Sequence, residues 1–350
     1  MGMFLNGLDM NYVPIMKAQG IKWMDEDKQE IDDLFEFFKQ MGANCLRIRI
    51  WVGDSGPSRL PYALNLAEMA CNAGMKIQPT IFLSDGWADL YKQPEPKSWA
   101  SLDFREKIRL IEFFISKVIK KLMHMRDSVA YYQIGNEIDY GICGIFAKDK
   151  KKRKSIKWLR DRVWQNEANV LKEAIDVIRT YDSKPIALHL GKWWDLGLSE
   201  SFLSTMDEFN VKYDIACFSF YPTMFGSDFG PLERFVNLTE KIDKSLAIAE
   251  YAYPSKPLKG QFWYMNKPSP GYPLTSEGQS SWIGDFLARC LELDICGVFY
   301  WSPELYFTKK NSKGITGPVE MPLNFGWGPM SFFDEDGRLR PCANSLRYGI

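Results

Sequence analysis

The chain has 350 residues, of which 46% are hydrophobic and 25% charged, proportions that predict a folded protein with a large core. Lysine and arginine together number 44, as do aspartate and glutamate, so the formal net charge of zero argues against binding to nucleic acid or to an anionic membrane. No apolar run approaches the roughly 18 residues that a membrane span needs.

The cysteines and histidines give no sign of a metal or cofactor site. Seven cysteines is an odd number without a Cys-x-x-Cys pair, and the two histidines, His124 and His189, are far apart. The cysteine usage favours a reducing compartment. Residues 1–4 do not resemble a secretion signal, so we expect an extracellular protein if a leader has been removed and a cytoplasmic one otherwise. We also expect a monomer.

Short apolar runs alternate with helical patterns along the whole chain. The apolar runs predict eight strands, at 4–10, 44–51, 75–83, 129–136, 185–190, 213–221, 245–250 and 296–301. The basic stretch 148–154 is expected to be a solvated loop.

Capping residues help to delimit the helices between these strands. Asp25 is expected to cap the first helix, Asp103 and Glu106 to form a capping box, and Ser276 with Gln279 to form another. The predicted helices span residues 25–41, 61–73, 103–122, 157–181, 199–209, 231–243 and 276–291. A closing helix is expected in the tail that runs to 350.

Eight strands in alternation with helices predict a single (β/α)8 barrel, an α/β fold, over residues 1–350. A doubly wound open sheet is the alternative. It would normally carry a glycine-rich phosphate-binding turn after an early strand, and the sequence has none there. We therefore predict one barrel domain.

Active sites of such barrels lie at the carboxyl ends of the strands. In this sequence nearly every predicted strand ends on a polar or aromatic side chain. These candidate site residues are Asp9, Arg49, Asp85 on the loop after strand three, Asn136, Glu137, His189, Tyr221, Glu250 and Trp301.

Glu137 after strand four and Glu250 at the end of strand seven are the candidates for catalysis. A retaining glycosidase needs two carboxyl groups roughly 5–5.5 Å apart, one acting as nucleophile and the other as acid and then base. Their surroundings must keep one ionised and the other protonated. The spacing of the two residues along the barrel therefore predicts retaining hydrolysis of a β-glycoside.

The other candidates are expected to bind substrate or to orient the pair. Arg49 is expected to keep Glu250 ionised, and Asn136 to hydrogen-bond the sugar 2-hydroxyl. Tyr221 is expected to orient the nucleophile and Trp301 to form an apolar platform for the sugar ring. Asp9, Asp85, Trp87 and His189 complete the predicted substrate-binding set.

Several motifs, in order along nearly the whole chain, resemble glycoside hydrolase family 53 of clan A, the arabinogalactan endo-β-1,4-galactanases. They are Cys-Leu-Arg-Ile-Arg-Ile-Trp at 45–51, Ser-Asp-Gly-Trp-Ala-Asp at 84–89, Gln-Ile-Gly-Asn-Glu-Ile at 133–138, Ile-Ala-Glu-Tyr-Ala-Tyr-Pro at 248–254 and Phe-Tyr-Trp at 299–301. The resemblance implies Glu137 as acid and base, Glu250 as nucleophile, and endo attack on a β-1,4-galactan with retention and without a cofactor.

The sequence also departs from the family. Thr80-Ile81-Phe82-Leu83 replaces an Asp-Phe-His-Tyr run, and Met224-Phe225 replaces Trp-His after strand six. Lost polar groups beside the sugar would change which hydroxyls are recognised, so mannan or glucan stays open as the substrate. An inactive carbohydrate-binding barrel is the alternative of another class.

Some members of the family hold a structural calcium. The segment Asp334-Glu335-Asp336-Gly337 is acidic enough to suggest such a site, but a simple Asp-Gly turn is the favoured interpretation.

Overall fold

The computed structural model describes residues 3–53, 56–306 and 326–349. Eight parallel strands close into one barrel in the order β1-β8-β7-β6-β5-β4-β3-β2. The strands are β1 Leu5–Asp9, β2 Cys45–Ile50, β3 Lys76–Ile81, β4 Tyr132–Ile134, β5 Ile186–Leu190, β6 Ile215–Phe220, β7 Ser245–Tyr251 and β8 Gly297–Trp301. The predicted (β/α)8 fold is confirmed, and each predicted strand overlaps an observed one.

Helices surround the barrel and cover the outer face of the sheet, which explains why the strands are apolar along most of their length. Their bounds are α1 Val13–Ala18, α2 Leu34–Gln40, α3 Leu60–Asn72, α4 Phe104–Leu122, α5 Ile156–Leu159, α6 Gln165–Tyr181, α7 Leu196–Glu208, α8 Gly230–Lys241 and α9 Ser276–Glu292. A π-helical turn, Arg160–Trp164, joins α5 to α6 within the predicted helix 157–181. The expected closing helix is a 3₁₀ helix, Pro341–Gly349.

The helix predicted at 25–41 is α2, which begins later than predicted. Asp33 caps α2 by accepting hydrogen bonds from the backbone N–H groups of Phe35 and Glu36. Asp25 instead accepts from the backbone of Gln29 in a turn, so its predicted role as a helix cap is wrong. Both aspartates suit a turn or a cap, and the apolar periodicity did not separate the two.

The two predicted capping boxes have different outcomes. Asp103 and Glu106 form the box at the start of α4. At α9 the cap is Thr275, whose hydroxyl accepts from the Gly278 N–H, so the proposed box of Ser276 and Gln279 is wrong. The Gln279 side chain is buried and donates to the Tyr253 carbonyl, which ties α9 to the loop after β7.

Asp334 forms a tight turn, as the favoured interpretation of that segment predicted. Its carboxylate accepts from the backbone N–H groups of Asp336 and Arg338, and Gly337 has a φ of 78° that suits the turn. Within 3–53, 56–306 and 326–349, no three acidic, histidine or cysteine side chains are grouped to hold a metal ion. In the same ranges, no helix combines the length and the apolar character that crossing a membrane requires.

Candidate active site

A cavity of about 560 Å³ opens at the carboxyl ends of the strands. Such a volume is typical of a small-molecule or oligosaccharide site. Its wall is mostly aromatic, and both Glu137 and Glu250 reach it. The two predicted catalytic carboxyl groups therefore share one cavity.

Glu250 reaches the cavity because β7 contains a one-residue bulge. Pairing with β6 shifts between Ile248 and Glu250, which leaves Ala249 as the extra residue, and pairing with β8 shifts between Ile248 and Tyr251. Ala247 and Ala249 already face the inner core, so strict alternation would turn Glu250 outward. The bulge restores the inward direction, as bulges beside active sites do.

Two donors hold the Glu250 carboxylate. Arg47 on β2 lies 2.9 Å from Oε1, and the Tyr221 hydroxyl donates to Oε2 at 2.9 Å. Burial raises the pKa of Glu250, and the positive charge of Arg47 opposes that rise. Tyr221 thus orients Glu250, as the sequence predicted.

The arginine that pairs with Glu250 is Arg47. The positive charge of Arg49, which was predicted to keep Glu250 ionised, also lowers the Glu250 pKa but as a lesser cause. Arg49 pairs with Asp9 at 3.3 Å and lies 4.6 Å from the centre of the Tyr12 ring. Residues 47 and 49 both face the barrel interior, so their alternation alone could not distinguish them. Asp9 is fully buried and also lies 2.7 Å from Arg47, so it is a counter-ion beneath the cavity.

Glu137 has neutral partners. Leu90 donates its backbone N–H to Oε2 at 3.1 Å, and the Ser219 hydroxyl lies 2.6 Å from Oε1. Gly191 on the loop after β5 is so close that a Cβ there would lie 2.5 Å from the Glu137 carboxyl carbon. Only glycine therefore fits at that position without displacing the carboxyl group.

The pKa of Glu137 is raised to about 8. Burial is the largest cause, and the negative charges of Glu250 and Asp89 add to it, while the hydrogen bonds from Ser219 and Leu90 oppose it. Glu137 is consequently protonated at neutral pH. Because Arg47 and Tyr221 stabilise the carboxylate of Glu250, the two groups have the different surroundings that an acid and a nucleophile require.

Asn136 and His189 lie behind the carboxyl groups, where they contact protein. Asn136 accepts from Arg47 at 2.7 Å and donates to the Ala88 carbonyl at 3.1 Å. His189 lies between Asn136 and Ser219, and both side chains are fully buried. Neither lines the cavity in the described chain, and their contact with the sugar stays a prediction.

The loop after β3 contributes several residues to the cavity, among them Trp87, which was predicted, and Asp89, which was missed. Trp87 lines it, as does Trp301 from β8, in agreement with the sequence analysis. Asp85 does not reach the cavity wall, because its carboxylate accepts from the Lys97 backbone at 2.7 Å and shapes the loop. Asp89 lines the cavity instead and accepts from the Trp87 indole N–H at 2.9 Å.

The residues that depart from the family differ in position. Phe82 is fully buried and packs 5.8 Å from the centre of the Trp87 ring, so it supports the wall from behind and the expected sugar contact is wrong. Met224 lines the cavity. Phe225 is 46% exposed and packs against Trp193 and Trp194.

Other cavity residues were missed because their segments are not strand ends. Tyr12 precedes α1, Trp193 follows β5, and Trp327 lies in the tail. The adjacent tryptophans 193 and 194, immediately after a strand, were the signal that could have indicated this part of the wall.

An eight-stranded barrel with paired carboxyl groups at the ends of β4 and β7 defines the class of the protein as a (β/α)8 glycoside hydrolase. Comparison with known families agrees with that class. The profile of Glycosyl hydrolase family 53 matches residues 5–346. The chain belongs to this family, as the resemblance of its motifs predicted.

Similar proteins match most of the chain. An uncharacterized protein from the bgaB 5′ region of Niallia circulans is 27% identical over 99% of this chain and 94% of its own. An endo-beta-1,4-galactanase of Bacillus subtilis (strain 168) is 25% identical over 86% of this chain and 70% of its own. Among solved structures, the Ignisphaera aggregans GH53 catalytic domain has a TM-score of 0.83 and 25% identity, and covers 99% of this chain and 96% of its own.

Proposed function

We propose that this protein is a retaining endo-β-1,4-galactanase that uses Glu250 as nucleophile and Glu137 as acid and base. The observation that carries the proposal is the pair of carboxyl groups that share one cavity in opposite surroundings. Relatives such as the endo-beta-1,4-galactanase of Bacillus subtilis support galactan as the substrate.

The first step forms a glycosyl-enzyme. The Glu250 carboxylate attacks the anomeric carbon while the bond from that carbon to the leaving oxygen breaks. Glu137 transfers its proton to the leaving oxygen, so the departing sugar leaves as a neutral alcohol. Arg47 and Tyr221 keep Glu250 ionised and oriented until the attack.

The second step hydrolyses that intermediate. Glu137, now a carboxylate, takes a proton from water as the water oxygen attacks the anomeric carbon and the bond to Glu250 breaks. Two inversions at one carbon give net retention. Glu137 regains its proton and Glu250 its negative charge, so the site returns to its starting state.

The direction of the substrate follows from which residues surround each carboxyl group. Trp301 is on β8, the strand next to β7, and lines the cavity beside Trp327, with the centres of the two rings 4.4 Å apart. This aromatic wall on the Glu250 side is suited to the sugar that becomes attached to the enzyme. Trp193 follows β5, the strand next to β4 and Glu137, and packs against Phe225, which follows Met224. We expect Trp193 and Met224, which both line the cavity, to contact the leaving sugar.

The experiment that tests the proposal compares pure β-1,4-galactan with mannan, xylan and glucan under identical conditions. Release of β-configured galacto-oligosaccharides, followed by NMR during the first minutes of the reaction, is the expected result. Inverted products would reject the double displacement, and hydrolysis of mannan or glucan without galactan would reject the substrate. Prolonged binding of oligosaccharide without turnover would favour an inactive carbohydrate-binding barrel.

A second candidate keeps the chemistry but uses short galacto-oligosaccharides inside the cell. All seven cysteines lie in the described chain and are free thiols, which suits a reducing compartment. A polymer, by contrast, must be degraded outside the cell. Cell fractionation, together with kcat/KM measured on galactobiose to galactohexaose and on polymer, separates these two functions.

A further inference from the structure

A chain of buried side chains extends from Glu137 away from the cavity. Ser219 Oγ lies 2.6 Å from Glu137 Oε1 and 3.0 Å from His189 Nε2. His189 Nδ1 lies 3.1 Å from Asn136 Oδ1, which in turn accepts from Arg47 at 2.7 Å. Each contact has hydrogen-bond length, so the proton positions along this chain follow from which groups can donate.

The orientation of Asn136 is fixed by its partners. Arg47 has only donors, so the Asn136 atom that faces it must be the carbonyl oxygen. The amide nitrogen then faces the Ala88 carbonyl, to which it donates at 3.1 Å. In the reverse orientation the amide N–H groups would face the N–H groups of Arg47, and the amide oxygen would face the Ala88 carbonyl oxygen.

This orientation determines the tautomer of His189. Because Asn136 Oδ1 accepts, His189 Nδ1 must carry a hydrogen. Burial and the nearby charge of Arg47 lower the pKa of His189 well below its ordinary value, so the ring is neutral. Nε2 therefore has no hydrogen and accepts from Ser219.

Ser219 has one hydroxyl hydrogen and two candidate acceptors. While Glu137 is protonated, its own O–H can donate to Ser219 Oγ, which leaves the serine hydrogen for His189. Once Glu137 is a carboxylate it has no hydrogen to give, and Oε1 becomes the stronger acceptor. We propose that Ser219 is a positioning residue whose hydroxyl donates to His189 when Glu137 is protonated and turns to donate to Glu137 when Glu137 is ionised.

The inference rests on the proposed function for its role in catalysis. When Glu137 gives its proton to the leaving oxygen, rotation of the Ser219 hydroxyl stabilises the new carboxylate during the life of the glycosyl-enzyme. When water returns a proton to Glu137, the hydroxyl turns back to His189. Ser219 keeps its own hydrogen throughout, so no net proton transfer passes through it.

Other charged groups near Glu137 do not take part in this rotation. Glu250 from β7 and Asp89 from the loop after β3 act on Glu137 through their negative charge. The phenol groups of Tyr91, Tyr221 and Tyr264 also face it. On the far side, Arg47 is the charged group beside His189. Substitutions at 219 or 189 leave all of these side chains in place.

The first test observes His189 directly in the full chain. The sequence has only two histidines, so ¹⁵N-histidine labelling gives two assignable rings, and His189→Phe identifies its own. We expect a neutral Nδ1–H ring with a hydrogen-bonded Nε2 whose shift changes as pH rises through the pKa of Glu137. In Glu137→Gln the Nε2 shift should be independent of pH. An Nε2–H tautomer, or a pH-independent shift in the unmodified protein, would overturn the proposal.

The second test uses the alkaline limb of kcat/KM, which reports Glu137 in the free enzyme. Ser219→Ala removes a donor to the carboxylate and should move that limb up by about one pH unit. His189→Phe leaves the Ser219 hydrogen permanently available to Glu137 and should move it down. Ser219→Thr should restore the original profile, and the buried Ser345→Ala, far from the site, is the control.

Opposite shifts support the rotation, and shifts in one direction overturn it. Thermal melting identifies any variant that does not fold. If Ser219→Ala or His189→Phe fails to fold, the NMR titration of the unmodified protein and of Ser219→Thr still tests the rotation of the Ser219 hydroxyl. Because the NMR measurement needs no turnover, failure of the galactanase assignment and failure of the Ser219 rotation give different results.

Discussion

The two carboxyl groups proposed for catalysis differ most clearly in the charges that surround them. Glu250 lies in an ionic cluster of Arg47, Asp9 and Arg49 at the base of the cavity. Glu137 has a serine hydroxyl and a backbone N–H as partners and no paired cation in the described chain. In the proposed reaction, this difference in charge is what distinguishes the nucleophile from the acid.

A single strand serves both groups. Ser219 and Tyr221 are two residues apart at the end of β6, so their side chains share one face. Ser219 contacts Glu137, and Tyr221 contacts Glu250. A change in the register of β6 would disturb both carboxyl groups together, so one strand holds the two residues of the proposed catalytic pair.

The largest expected effect comes from neutralising each carboxyl group in turn. Glu250→Gln should abolish hydrolysis of every substrate because no nucleophile remains. Glu137→Gln should lower kcat/KM on galactan by on the order of 10²–10⁴-fold, the usual contribution of general acid catalysis. On an aryl galactoside whose phenol is a good leaving group, Glu137→Gln should retain glycosylation, because that step needs no proton.

Burst kinetics with such an aryl substrate measure the difference. A burst of phenol from Glu137→Gln and none from Glu250→Gln would confirm the assignment. A burst from Glu250→Gln would reverse it.

The next prediction concerns the two arginines of β2. Arg47→Met removes the positive charge that opposes the raised pKa of Glu250, so the pKa of Glu250 should rise further. On acidification, Glu250 would then gain its proton, and the enzyme lose activity, at a higher pH than in the unmodified protein. Removing one partner of a buried ion pair also costs about 3–5 kcal/mol of stability. Arg49→Met should move the acid limb of kcat/KM less, because its direct partner is Asp9.

The measurement is the acid limb of kcat/KM for both variants, with their melting temperatures. Equal shifts of the acid limb would show that direct contact with Glu250 is not what sets its ionisation.

The sequence predicted the fold and singled out Glu137 and Glu250 as the candidate catalytic pair because both depend on local pattern. Apolar runs mark buried strands, and a glutamate that ends such a run is rare enough to be noticed. Long-range geometry was not accessible in the same way. The bulge at Ala249 lies inside an uninterrupted apolar run, and no local residue indicates it. The choice of Arg47 over Arg49 depends on depth within the barrel, which alternation does not encode.

Long-range geometry also decides which of the predicted substrate-binding residues reach the cavity. Asp85 and Asp89 occupy one loop, and only its folded path determines which of them lines the cavity. Asn136 and His189 were recognised as important polar groups at strand ends. Their partners, Arg47 and Ser219, come from distant strands and bury them behind the carboxyl groups.

A smaller effect is expected from removing the negative charge of Asp89, which acts on Glu137. Burial, Glu250 and Asp89 raise its pKa to about 8, so activity should fall as pH rises through that value and Glu137 loses its proton. Asp89→Asn removes one of the lesser causes and should lower the alkaline limb by less than about one pH unit, since each unit corresponds to about 1.4 kcal/mol. The acid limb should not move. A shift of both limbs would mean that Asp89 acts on the pair as a whole.

The smallest effect is expected on the leaving-group side of the cavity, where this chain carries Met224 and Phe225. Met224→Trp with Phe225→His introduces the residues typical of the family and adds a polar side chain beside the Trp193 and Trp194 rings. We expect a change of a few-fold in KM on galactan, less than the roughly 1–3 kcal/mol that one methylene group contributes in a hydrophobic pocket. KM on an aryl galactoside, which places no sugar there, should be unchanged and serves as the control.

Since neither residue contacts the carboxyl groups, the acid and alkaline limbs of kcat/KM should also stay fixed. Equal changes on both substrates would place Met224 and Phe225 on the Glu250 side of the cavity and reverse the direction assigned to the bound chain.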